Sequence, residues 1–109
     1  MDSTSQQEAL GVLIKKIDTE EKWNMIVHFM FEGGQHSKER VQRLEKMHTE
    51  VLVYLYQQNK IHAAQRILQW HLFWLDSHPE LKPYVMDMPE FRIKMTDDTF
   101  LDMTKPATK

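Results

Sequence analysis

The 109-residue chain has no cysteine, only three glycines and four prolines, and no strong excess of either charge. The missing cysteines exclude disulfides, zinc-thiolate sites, iron–sulfur clusters and thiol nucleophiles. Gly11, Gly33 and Gly34 are too few and too scattered to build a glycine-rich phosphate loop. With 14 basic and 16 acidic residues the formal net charge is −2, which argues against a general polyanion binder. No long apolar run spans a bilayer: the stretch from Ile61 to Leu75 is interrupted by Gln65, Arg66, Gln69 and His71. The opening residues Met1 to Gln7 lack the basic region and apolar run of a signal peptide, so a cytoplasmic protein without membrane contact is expected. No nucleophile-elbow, H-E-x-x-H or EF-hand spacing occurs, and an enzyme is not expected.

What is present is a small set of unusual residues: three Trp, six His and eight Met. At this length the chain forms one compact unit that buries roughly two-thirds of its surface without covalent staples. Helical spacing dominates. Leu10, Leu13, Ile14 and Ile17 mark a first helix, and Trp23, Ile26, Val27 and Met30 a second, announced by a box-like signal at Asp18 and Glu21 and stopped by Gly33-Gly34. Ser37 can cap a third helix that runs to Asn59, itself suited to a left-handed helix end. A fourth helix occupies about 60–77, and Pro79 suits the first position of a short turn. The expected fold is therefore all-α: a small bundle built on an antiparallel hairpin, about 37–59 and 60–77, with two N-terminal helices. Residues 1–84 form the helical unit. Residues 85–109 read as an extended or irregular arm, because Phe91 to Met95 alternates like a short strand and 104–109 like a frayed tail.

The hairpin carries most of the information. Val41, Leu44, His48, Val51 and Leu55 form one seam, and Ala64, Leu68, His71, Leu75 and His78 another. An antiparallel turn at Asn59-Lys60 sets Leu55 against Ala64, Val51 against Leu68 and His48 against His71. Two facing histidines read first as a polar layer within the core, second as a pH-responsive contact, and third as a metal or haem site with Glu45. A lone E-x-x-H without a second copy is weak support for the third.

A further stripe, Ala63, Ile67, Trp70 and Trp74, with Phe73 beside it, makes the fourth helix apolar almost all round. Such a helix must be covered on several sides, by the first two helices or by another protein. Tyr54 and Tyr56 extend the surplus on the third helix. Trp70, Phe73, Trp74, Tyr54 and Tyr56 are therefore the candidate partner-binding residues of a non-enzymatic regulator, adaptor or inhibitor that needs no cofactor and can form a homodimer. The alternatives are a metal or haem binder centred on His48, His71 and Glu45, and a small nucleic-acid-binding regulator using Lys38, Arg40, Arg43 and Lys46. Nucleic acid is disfavoured, because Glu39 and Glu45 interrupt that basic stretch.

Overall fold

A computed structural model describes residues 11–34, 36–97 and 100, and every regular element among them is helical. Residues 11–16 lie in α1, followed by α2 (Glu20–Met30), α3 (Lys38–Gln57) and α4 (Ile61–Ser77). A 3-10 turn, Pro79–Leu81, leads into the single-turn α5 (Lys82–Val85), and α6 spans Pro89–Thr96. The expected hairpin is the centre of the fold, with α3 against α4 its principal helix pair.

Local chemistry explains most of the boundaries. Ser37 caps α3 as expected, its hydroxyl accepting from the Arg40 N–H at 3.2 Å. At the other end Asn59 adopts φ 61, the left-handed conformation that asparagine tolerates. Lys60 N–H then donates to Leu55 O at 2.8 Å and Asn59 N–H to Tyr56 O at 3.0 Å, the paired bonds of a Schellman turn. The start of α2 differs by one position from the expectation. Thr19, not Asp18, is the cap and accepts from Lys22 N–H at 3.2 Å, while the Asp18 carboxylate pairs with Lys22 Nζ at 2.8 Å. Gly33 and Gly34, with φ 90 and 78, turn the chain out of α2.

The C-terminal segment corrects a sequence reading. Phe91 to Met95 is not extended but lies within α6, packed on α3. Five alternating residues fit either period, so Pro89 at the first helical position and Glu90 in the first turn were the better signal. Phe91, Lys94 and Met95 share the inward side of this helix, and Lys94 is buried. The tail expected over 104–109 lies outside the described residues.

The core runs along the whole hairpin and under the flanking helices. Trp23 and Val27 of α2, Val41, Leu44, Val51, Leu52 and Leu55 of α3, Ala64, Ile67, Leu68 and Leu75 of α4, and Leu81 and Val85 are buried together. Because α2, α4, α5 and α6 all pack on α3, Val51 and Leu52 of its apolar run are both buried and Tyr54 is half-buried, while Val53 stays exposed. Side-chain bonds also tie surrounding elements to α3: Arg40 donates to Met30 O at 3.3 Å, Gln42 to Tyr84 O at 2.9 Å and Thr49 to Glu90 O at 3.5 Å. Among the described residues no helix is long and apolar enough to cross a membrane.

Candidate functional site

The hairpin register brings His48 and His71 together. Their rings stack with centroids 3.9 Å apart and an interplanar angle of 24°. They do not bond to each other. His71 Nε2–H donates to Glu45 Oε1 at 2.8 Å, and Glu45 is also the acceptor of Lys94 Nζ, which reaches into the core from α6. Lys94 Nζ donates in addition to His48 Nδ1 at 2.8 Å, and His48 Nε2 lies 3.4 Å from Ile67 O. A ring that accepts at Nδ1 carries its proton at Nε2, so these contacts select one neutral tautomer of His48.

All four side chains are about 1% exposed or less. Trp23 closes the cluster from α2, its ring centroid 5.1 Å from that of His48 and 6.0 Å from that of His71. Trp23 Nε1 and His71 Nδ1 have no hydrogen-bond partner among the described residues. The electrostatics follow from burial and pairing together. Burial raises the Glu45 carboxyl, but His71 and Lys94 outweigh it by charge and hydrogen bonding and bring its pKa to about 2. Burial pushes His48 well below its ordinary value, with His71 and Lys94 acting in the same direction. His71 is also lowered by burial, against an upward pull from Glu45. Burial lowers Lys94 by more than Glu45 raises it.

Glu45, His48 and His71 offer ligand atoms within 4.8 Å of one another, a set that can hold a metal ion. The Lys94 ammonium already contacts two of the three and supplies the positive charge that Glu45 requires. As it stands, the cluster is a polar staple that joins α3, α4 and α6. Sequence reasoning found three of its members and missed Lys94, which was placed on an extended arm.

The aromatic candidates fall in different places. Trp74 is half-buried and stacks on Phe31 at 5.5 Å, with the His78 ring 5.0 Å away, so the end of α2 covers part of the stripe. Trp70 and Tyr54 are half-buried against the core, while Phe73 and Tyr56 are exposed. In an antiparallel hairpin Tyr56 and Phe73 stand about 15 Å apart along the axis, so the five do not make one patch. Phe29 of α2 does not help to cover the tryptophans, since it is 77% exposed.

Phe29 belongs to the outer side of α2 instead. Met25, one turn earlier, is 68% exposed, and both line a shallow groove with Asn24, His28 and Glu32. Met25 also borders a second groove of about 420 Å³ with Leu13, Ile17, Ile26, Lys16, Asp18 and Lys22. The basic candidates diverge. Lys38 and Lys46 line a groove facing α5 and α6, Arg40 turns to the end of α2, and Arg43 pairs with Glu39 at 3.4 Å. Comparison with models of known protein families, with curated proteins and with solved structures finds no match to this chain.

Proposed function

We propose that the chain is a non-enzymatic protein-binding module that docks through exposed apolar side chains, with the outer side of α2 as its main contact. The observation that supports this is the adjacent exposure of Met25 and Phe29, a methionine and a phenylalanine one helical turn apart. Leaving both in water forgoes about 3–5 kcal/mol of burial, which a partner surface would recover. Phe73, 62% exposed on α4, adds a further apolar contact. The non-enzymatic part of the reading is supported by the sealing of the Glu45, His48, His71 and Lys94 cluster, which keeps its acid–base groups from a dissolved substrate.

The test is affinity purification from the native host with the wild type and with a Phe29→Glu variant shown to be folded. A protein retained by the wild type and lost by the variant is expected. Identical recovery by both would remove the outer side of α2 from the function.

A second reading, metal binding at Glu45, His48 and His71, is favoured by the proximity of their ligand atoms. It requires the Lys94 ammonium to leave and the stacked rings to rotate, because imidazole binds metal in the ring plane. Rings 3.9 Å apart leave no space for a porphyrin between them. Elemental analysis of the purified protein distinguishes the two readings: stoichiometric metal, with loss of stability on chelation, selects the second.

A further inference from the structure

The outer side of α2 is not only apolar; its charges are arranged in a self-complementary order. At 3.6 residues per turn, Lys22, Met25, Phe29 and Glu32 fall within about 80° of one another, on the side opposite Trp23, Val27 and Phe31. The burial agrees, since these last three are buried and the first four are exposed. Glu32 lies just beyond the last residue of α2 but stays on the stripe: its N–H donates to Phe29 O at 3.4 Å, and it lines the same groove as Met25 and Phe29. The stripe therefore carries a cation at one end, two large apolar side chains in the middle and an anion at the other.

Such an order matches itself when reversed. Two copies of α2 laid antiparallel about a two-fold axis place residues opposite each other when their numbers sum to 54. Lys22 then meets Glu32 of the second copy, and Met25 meets Phe29 of the second copy, each pair occurring twice. A parallel arrangement would set Lys22 against Lys22 and Glu32 against Glu32. Leu13 and Ile26, on the adjoining groove, continue the apolar surface to one side.

We infer that the partner of this surface is a second copy of the chain, docked antiparallel through the Lys22, Met25, Phe29 and Glu32 stripe of α2. The inference rests on the proposed reading of α2 as a docking surface and adds the identity and orientation of the occupant. The methionine and phenylalanine supply the apolar contact and the terminal charges set its direction.

Charge exchange tests it, with the mass of the full-length chain measured by light scattering and sedimentation. The wild type is expected to be a dimer. Lys22→Glu alone places two Glu pairs in the interface, and Glu32→Lys alone places two Lys pairs, so each should weaken self-association by roughly tenfold or more. Mixing the two single variants creates two opposite-charge pairs and should give a heterodimer, and the double variant on its own should form a homodimer again. The mixing step also separates the contact between copies from loss of the Lys22–Asp18 pair, which is absent from the Lys22→Glu chain whether or not it associates. Phe29→Glu should give a folded monomer whose melting temperature equals that of the wild type measured where the wild type is dissociated.

A wild type that stays monomeric at the highest attainable concentration overturns the inference, and so does a dimer indifferent to both reversals. If the wild type is monomeric yet Phe29→Glu loses a host protein, this inference falls and the docking function stands. If the charge exchange behaves as expected while Phe29→Glu loses no host protein, the contact between copies holds and the proposed docking of another protein on α2 falls.

Discussion

Lys94 and Glu45, separated by 49 positions in the chain, meet inside the core with each side chain about 1% exposed. A buried ammonium is tolerated there because a carboxylate and an imidazole nitrogen accept its hydrogen bonds. The carboxylate in turn keeps a second donor in His71. Removing either charged partner leaves the other desolvated.

Glu45→Gln and Lys94→Met should therefore each cost about 3 kcal/mol or more, well above a typical surface change. The double variant should lose less than the sum of the two, with a coupling of about 1–3 kcal/mol, since it removes both stranded charges. Urea denaturation of the four proteins provides the cycle. Strict additivity would mean that the two groups do not meet.

The acid side of the stability profile should have two parts. His48 and His71 have folded-state pKa values below the ordinary 6.5, so as the pH falls through that value the unfolded chain takes up protons that the folded chain does not. Stability should thus decline below about pH 6.5, with a limiting slope of at most about 1.4 kcal/mol per pH unit for each histidine. Glu45 acts lower. With its pKa brought from 4.5 to about 2, its contribution is complete above about pH 4.5 and is lost as the pH falls towards 2. His71→Leu should lower stability near neutral pH, because Glu45 loses a donor, and should flatten the slope between about pH 5 and 7, leaving the share due to His48. A slope unchanged by the substitution would show that His71 titrates alike in the folded and unfolded chain.

The two sides of α2 should respond oppositely to truncation. Trp23→Ala opens a cavity against His48 and His71 and should cost about 3–5 kcal/mol. Phe29→Ala, on the exposed side, should change the stability of the isolated fold by less than about 0.5 kcal/mol. Chemical denaturation under conditions where the chain is monomeric checks both, and a comparable loss at the two sites would place Phe29 in the core.

Helix ends offer a local test. Ser37→Ala should lower stability by about 1 kcal/mol through loss of the bond from Arg40 N–H. At Asn59 a glycine should be tolerated, whereas a valine, β-branched at φ 61, should cost about 1–2 kcal/mol. Thermal melts of the three variants decide it; equal effects of glycine and valine would contradict the left-handed conformation.

The readings that held are those whose signals act over one or two turns. The hairpin, the cap at Ser37, the left-handed Asn59 and the stop at Gly33-Gly34 each depend on neighbours in the chain. The facing of His48 and His71 was also legible, since an antiparallel turn of known position leaves little choice of register. Phe91 to Met95 was misread for the same reason: a run of five cannot separate period 2 from period 3.6, and the informative Pro89 stood just outside it.

Helical spacing, caps and the turn at Asn59 were enough to give the helical class, the central hairpin and three of the four members of its polar cluster. Tertiary structure decided that Lys94 completes that cluster, because α6 must first fold back on α3 to bring the ammonium to Glu45. It also decided which aromatics are covered. Periodicity identifies an apolar stripe but not its neighbour, and only the placement of α2 shows Trp23 buried under the histidines while Phe29 and Met25 remain in water.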